Sequence, residues 1–373
     1  MQESDIRFLE NSFKKYYFDH FDKIKVPERT HEREFGYQKF NSGMIRHLAI
    51  KNNEELRLML MNNVPSDLYC SNGYYTFPNL PVNEKDWKEA DLIFDIDAKD
   101  LNLPCRDSHT AAICADCKNI SRNLSRCTAC NSNKLEKKSL PCKHCMDASK
   151  KEVGKLLDIL INDIGVSKEN IHVYFSGNEG FHVYAYDLAL QKLGPRERSD
   201  LTGYIMFKGV VPETFGIRTS KNDKTSLPGL DEKGWRGRFA KYVFGSKSKR
   251  SKMPNGMRAK EYSSFQKILD DAAEDIGVRI DPNVTVDIHR IFRLPDSINS
   301  KSGLSKVQCG DLAKFDPYVE SSLLSDDKAE ILANCPVEFR LKNKKFGPYD
   351  NEKATIPTYA AAYMICKKLA TIA

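Results

Sequence analysis

Residues 171–187 read IHVYFSGNEGFHVYAYD, and this stretch decides the fold. Two runs rich in β-branched and aromatic residues, 171–177 and 181–187, flank the turn Gly177-Asn178-Glu179-Gly180, which predicts two consecutive strands. The glycines permit φ > 0 and let backbone N–H groups approach a phosphate closely, while the Ser176 hydroxyl and the His182 imidazole can point at one ligand from the flanking strands. A plain β-hairpin turn accounts for the same residues taken alone.

Upstream, ADLIFDID at 90–97 reads as a buried strand ending in carboxylates. Asp95 and Asp97 are one residue apart, so both side chains leave the same face. Two like charges so close repel unless a cation lies between them, an arrangement suited to two divalent ions roughly 3.5–4 Å apart in phosphoryl chemistry. Strands also end in acids simply because they enter solvent there.

Between these stretches lies a cysteine-rich insertion at 105–145, which holds seven of the chain's 11 cysteines. Three CxxC pairs, Cys114/Cys117, Cys127/Cys130 and Cys142/Cys145, follow Cys105 and His109. Two residues between thiolates let both reach one tetrahedral ion, and two such knuckles close a structural zinc site. The preferred grouping is Cys105, His109, Cys142 and Cys145 around one zinc and Cys114, Cys117, Cys127 and Cys130 around a second. A single zinc taking four of these ligands is the competitor, and His144 is an alternative ligand. Cys70, Cys309, Cys335 and Cys366 stand alone and read as small buried hydrophobes.

Ile6, Leu9, Phe13, Tyr16 and Tyr17 predict an amphipathic helix over 5–22, and REFGYQKF (33–40) with MIRHLAI (44–50) predicts a hairpin around Asn41-Ser42-Gly43. A helix is predicted over 147–163, β structure over VRIDPNVTVDIHRIFRLP (278–295), and an amphipathic helix near Thr358–Ile372. Residues 188–275 turn polar and mostly helical or loop-like. The order predicts an α/β (α+β) protein, with a catalytic domain over 1–187 and 276–373, a zinc-binding insertion at 105–145 and a helical, basic-loop insertion at 188–275.

The chain has 373 residues, 40% of them apolar, enough for a sizeable core, and its formal charge is +7. That charge is local. RGRFAKYVFGSKSKRSKMPNGMRAK, 236–260, carries nine of the 58 Lys and Arg and no acid, which leaves 49 bases against 51 acids elsewhere. With Trp235, Phe239, Tyr242 and Phe244 interleaved, the segment suits a single-stranded phosphate backbone with stacked bases; a solvated surface loop anchored by its aromatics is the alternative. No apolar run is long enough to span a membrane, and the N-terminus has acids and bases where a signal peptide has its apolar core. Secretion is therefore not expected, and the cysteines read as thiols or metal ligands rather than disulfides.

FDID, then the Cys/His knuckles, then YFSGNEGFHV, then RIDPNVTVDIHRIFRLPDSINSKSGL, in that order, resemble the small catalytic subunit of the archaeal and eukaryotic replicative DNA primase. The resemblance covers roughly 5 to 310 and is nearer to archaeal members. It implies a mixed sheet flanked by helices, with a zinc knuckle alongside and a small helical subdomain. It also implies nucleotidyl transfer that makes short RNA primers, and in archaea often DNA, from nucleoside triphosphates on single-stranded template. Asp95 and Asp97 match the family's Mg²⁺- or Mn²⁺-binding pair and Asp281 its third acid, with Asp287 a nearby rival. Ser176, Gly177 and His182 match the nucleotide-binding turn. Arg46, Arg290 and Arg293 fall at triphosphate-binding basic positions, with Arg293 the closer match of the last two.

Glu179 stands where many members have Arg, and Asn299 where many have His. The family implies a large regulatory subunit that carries an iron–sulfur cluster, and no such cluster is expected in this chain. The location expected is cytoplasmic for an archaeal protein and nuclear for a eukaryotic one. Two rival readings use the same residues: a plasmid- or repair-type primase-polymerase preferring deoxynucleotides, and a non-catalytic zinc-stabilised nucleic-acid-binding subunit.

Overall fold

The computed structural model describes residues 1–215, 228–244 and 262–373. The chain opens with helix α1 (Glu3–Asp19), which buries Leu9, Phe13, Tyr16 and Tyr17 as the helical spacing predicts. Strands β1 (Phe35–Gln38) and β2 (Met44–Leu48) then form the expected antiparallel hairpin, with Asn41 at φ 53° in its turn. Next come α2 (Asn53–Asn63), whose first turn is capped by the Asn52 side chain, and β3 (Asp67–Ser71). The acid-bearing strand is β4 (Leu92–Asp97).

The cysteine-rich insertion folds as a three-stranded sheet of β5 (Thr110–Cys114), β6 (Ile120–Ser121) and β7 (Leu135–Ser139), in the order β6-β5-β7. Helix α3 spans Lys143–Ile159, beginning four residues before the predicted start. Its first turn is built on the Cys142/Cys145 knuckle, which serves as a helix start. The antiparallel pair β8 (Ile171–Phe175) and β9 (Gly180–Ala185) is the hairpin predicted from 171–187.

The polar stretch after 188 is mostly helical where described, with α4 (Pro195–Ile205), α5 (Gly234–Phe244) and α6 (Tyr262–Ile276). Trp235 and Phe239 of α5 are buried, so they anchor the start of the basic segment to the core. Arg238 is likewise held, by Asp158 and Asp163. The rest of that segment, 245–260, lies outside the described residues.

Residues 278–295, predicted as β, are mostly not strand. Asp281 caps a short helix α7 (Pro282–Val286) by accepting the Asn283 N–H, and Pro282 fits the first helical turn, where its missing donor costs nothing. Only β10 (Ile291–Arg293) is a strand. After β11 (Val307–Gln308) come two long strands that the sequence reading missed, β12 (Lys328–Cys335) and β13 (Tyr349–Pro357). The terminal helix α8 covers only Thr358–Cys366 and is buried on every side from Thr358 to Ile365, so it is a core helix and not amphipathic. Strand β14 (Ala370–Ile372) then pairs with β12.

Two four-stranded sheets dominate, β10-β3-β1-β2 and β11-β8-β9-β4. Helices and sheets alternate along the chain, as the α/β (α+β) reading expects, but every strand pairing among the described residues is antiparallel, so the sheets are not the mixed kind that the resemblance implies. Leu92, Phe94 and Ile96 of β4 and Val183 and Phe181 of β9 join the main core, which also contains Val153, Leu156 and Ile159 of α3. Ile93 and Tyr184 point to the opposite face, into a small separate cluster with Tyr174, Val284 and Phe292. One face of this sheet is therefore packed against a helix, and the other faces a cleft.

Candidate nucleotide-transfer site

The cleft face is set by strand register. β9 pairs antiparallel with β4 so that His182 lies opposite Asp95 and Gly180 opposite Asp97. With a period of two, Ile93, Asp95 and Asp97 share the cleft face with Gly180, His182 and Tyr184. Gly180 is required there, because a Cβ would collide with Asp97 Oδ1 and the Ile96 carbonyl. Gly180→Ala is expected to cost about 1–3 kcal/mol by overpacking. Urea unfolding reads that loss, and Mn²⁺ titration should register the displaced Asp97 as weaker cation binding.

Asp95 Oδ1 is buried and accepts no hydrogen bond. It lies 3.4 Å from His182 Nε2, but burial, helped by Lys306, Arg293 and Arg290, holds the His182 pKa well below its usual value and keeps the ring neutral. Burial and then the neighbouring charge of Asp97 raise the Asp95 pKa, with a smaller contribution from Asp281. An orphaned carboxylate oxygen beside a second carboxylate fits a hard divalent cation. Asp97 pairs instead with the half-exposed Lys99, at 2.6 Å.

Asp281 donates its backbone N–H to the Asp95 carbonyl at 3.0 Å, which ties α7 to β4. Asp287 is exposed beyond the far end of that helix, so Asp281 is the acid brought close to Asp95. The three acids do not converge within 4.8 Å of one another, the separation within which both cysteine clusters fall.

Asp95, Asp97, Ser176, His182, Arg290 and Arg293 line one cavity of about 230 Å³, together with Tyr69, Asn178, Asn299 and Lys301. Lys301 is exposed and was not singled out from the sequence; its only signal there is the lysine four residues past Ser297 in the RLPDSINSK block. Arg293 is less available than its sequence position implies. Its guanidinium pairs with buried Asp67 at 2.5 Å and donates to the Ile298 carbonyl. Arg290 has no carboxylate partner among the described residues and is the more available cation.

Arg46 does not line this cavity. It makes a two-pronged pair with buried Glu34, at 2.9 and 3.1 Å, and its stem passes over Gly36. Gly36 lies across from Tyr69, and Tyr69 from Arg293, so Arg46 sits at the far edge of the same row of the β10-β3-β1-β2 sheet. A larger cavity of about 510 Å³ shares Phe292 and Arg293 but is walled by Tyr74, Tyr174, Tyr184 and Tyr186 and contains none of the three acids. The smaller one holds Asp95 and Asp97, and Asp281 lines neither.

Gly177 has φ 83°, and a Cβ on it would come within 3.0 Å of Asn299 Cβ, so the turn needs glycine for both conformation and space. Asn299 braces this turn by donating to the Ser176 carbonyl at 3.3 Å and accepting the Lys301 N–H at 3.0 Å. Glu179 does not line the cavity; it meets Arg106 at 2.8 Å and Lys367 at 3.7 Å.

The cysteine clusters partition as the preferred grouping had them. Cys105, His109, Cys142 and Cys145 bring their ligand atoms within 4.8 Å of one another, and so do Cys114, Cys117, Cys127 and Cys130. A Zn–S bond of about 2.3 Å in a tetrahedron puts sulfurs roughly 3.8 Å apart. The sulfur separations are 3.7 Å for Cys105–Cys145, 3.6 Å for Cys114–Cys130 and 3.4 Å for Cys117–Cys127, so both sets fit zinc. His109 presents Nε2 to Cys145 Sγ at 3.5 Å. The isolated Cys70, Cys309 and Cys335 are buried, and Cys366 is partly so.

No helix among the described residues is long and apolar enough to cross a membrane. A family profile described as DNA primase small subunit matches residues 130–308. DNA primase small subunit PriS of Nitrosopumilus maritimus is 67% identical over the full length of both chains, and that of Cenarchaeum symbiosum is 48% identical over the same span. Among solved structures, the polymerase domain of Mycobacterium tuberculosis ligase D in complex with DNA covers 82% of this chain and 81% of its own at 9% identity, but at a TM-score of 0.39 the likeness carries no weight. Identity at that level to two primase subunits along the whole chain establishes that the protein belongs to the archaeal DNA primase small subunit family.

Proposed function

We propose that this chain is the catalytic subunit of a replicative primase, a nucleotidyltransferase that makes short RNA primers, and also DNA primers, from nucleoside triphosphates on single-stranded DNA. The observation that carries this reading is the cleft face of β4 and β9, where Asp95 and Asp97 stand beside His182, Ser176 and Arg290 in one cavity. Asp95, Asp97 and Asp281 are the residues that would hold Mg²⁺ or Mn²⁺, and the chemistry such an ion would supply is a lower pKa for the attacking 3′-hydroxyl and an offset to charge on the leaving pyrophosphate.

The chain's own residues supply position and charge. Ser176 and the backbone of the glycine-flanked turn would receive the triphosphate, with His182 as a neutral hydrogen-bonding partner. Arg290 and Lys301 would meet its charge directly. Arg293, held by Asp67, would shape the wall, and Arg46 would reach the site only by leaving Glu34. Most of the rate gain then comes from alignment and preorganised charge. On this reading 1–187 and 276–373 form the catalytic domain, 105–145 a zinc-binding insertion with two ions, and 188–275 an insertion whose basic segment meets template. A large regulatory subunit is the expected partner, and the cytoplasm the expected location.

A de novo priming assay on single-stranded DNA, run with ribonucleotides and with deoxyribonucleotides, tests the proposal. Products from ribonucleotides on unprimed template are expected, and extension confined to deoxynucleotides would favour the primase-polymerase alternative. Arg290→Gln should raise the KM for nucleoside triphosphate about tenfold or more, as expected for one charged hydrogen-bonding group. Arg46→Gln should raise it less.

A further inference from the structure

The turn that faces the nucleotide cavity is strapped from behind. Glu179 leans away from the cavity and takes two cations from two distant parts of the chain. Arg106, from the segment between zinc-ligand candidates Cys105 and His109, donates Nη2 to Glu179 Oε2 at 2.8 Å. Lys367, at the end of α8, lies 3.7 Å from Glu179 Oε1 and donates to Asn178 Oδ1 at 2.9 Å. Asn178 lines the nucleotide cavity, so the same lysine touches both the brace and the cavity wall. The Glu179 carbonyl also accepts the Ala98 N–H at 3.0 Å, next to Asp97.

These contacts are shielded. The Lys367 side chain is 6% exposed, Glu179 18% and Arg106 27%, so the charges interact where water screens them only in part. The cysteine-rich insertion is also tied to the end of α8 by Lys368 and Glu136 at 3.0 Å. Opposing forces act on the site. A carboxylate close behind a triphosphate pocket repels the ligand at long range, yet the same carboxylate fixes the shape of the turn that binds it.

We infer that Glu179 is a positioning residue: through Arg106 and Lys367 it locks the Ser176–Gly180 turn against the zinc-binding insertion and the terminal helix, and this bracing outweighs its repulsion of the triphosphate. The inference rests on the nucleotide-binding reading of that turn. Its ligand is the triphosphate of an incoming nucleotide. Because the turn holds phosphate equally in the ground state and the transition state, the brace acts on KM and leaves kcat nearly unchanged.

Binding of ATP with Mg²⁺ to the full chain, together with the KM and kcat of primer extension, tests this in Glu179→Gln, Arg106→Gln and the double variant. Glu179→Gln is expected to weaken ATP binding and raise KM roughly five- to tenfold, with kcat within about twofold, and Arg106→Gln to do so by a smaller factor. The double variant should be no worse than Glu179→Gln alone, because both changes break one interaction. Zinc content should match wild type in all three, which separates loss of the brace from loss of the insertion. Unchanged or tighter binding in Glu179→Gln would mean that charge repulsion dominates, and independent, multiplying effects in the double variant would mean that the pair is not the carrier; either overturns the inference. If the wild-type chain itself binds no Mg²⁺-ATP, the nucleotide reading falls and the inference with it. If Glu179→Gln does not fold, Arg106→Gln, altered at the more exposed end of the pair, decides the matter by the same readouts.

Discussion

Asp95→Asn should abolish primer synthesis, by about a thousandfold or more, and leave the protein folded. Removing one fixed charge from a preorganised site costs roughly 10²–10³ in rate, and on the proposed reading the lost charge would also hold the cation. The fold should be indifferent, since Asp95 Oδ1 accepts no hydrogen bond and the amide keeps the shape of the carboxylate. The substitution is even expected to stabilise the protein slightly at neutral pH when Mg²⁺ and Mn²⁺ are absent. Burial and Asp97 raise the Asp95 pKa above its unfolded value, so its protonated form favours folding. That contribution is complete below the unfolded pKa of about 4 and is lost as pH rises through the raised folded value. Wild-type stability should therefore fall with pH across that window more steeply than that of Asp95→Asn, as read by urea unfolding at several pH values. Retained priming in a folded variant would remove Asp95 from the site.

The second large effect concerns zinc. Elemental analysis should find two zinc ions per chain, and the two should matter unequally. Cys145 is buried and belongs to the first turn of α3, which carries Met146, Val153 and Leu156 into the core. Cys145→Ser is expected to release one zinc and cost on the order of 4–5 kcal/mol or more, the range that marks loss of a structural metal. Cys117 and Cys130 are exposed, and their cluster closes the outer end of the β6-β5-β7 sheet. Cys117→Ser should release the other zinc with a much smaller loss of global stability. A wild-type count of one zinc would dismiss the two-site grouping, and equal destabilisation by the two variants would dismiss the inner and outer distinction.

Much of the candidate site's geometry was legible because it is local. The alternation in β4 and the glycine-flanked hairpin of β8 and β9 carry their geometry in a period of two, and the CxxC spacing carries a ligand pair in each turn. What was not legible depends on partners far away in the chain. Arg293 looks like a free phosphate ligand until Asp67 is found beside it, and Arg46 until Glu34 is. Glu179 stands where many members have Arg, and the charges that offset it, Arg106 and Lys367, come from the cysteine insertion and the end of the last helix. Residues 284–286, Val-Thr-Val, have the composition of a strand, but Asp281 and Pro282 start a helix there, and capping chemistry overrides β propensity. Strand β13 escaped notice because exposed and buried residues do not alternate along it, whereas β12 does alternate but is built of Lys, Ala, Glu and Asn, residues of low strand preference, around Ile331 and Leu332.

The two-faced β4 strand has a consequence for assembly. A slip of one residue against β9 would turn Asp95 and Asp97 into the interior beside α3 and push Phe94 and Ile96 out into the cleft. Ionised carboxylates inside and bare aromatic and aliphatic groups outside could not support a folded molecule. Misregistered chains are thus unable to persist as well-folded but silent subunits and are left to unfold. Apolar residues that never touch a nucleotide thereby act as inspectors of the acids between them.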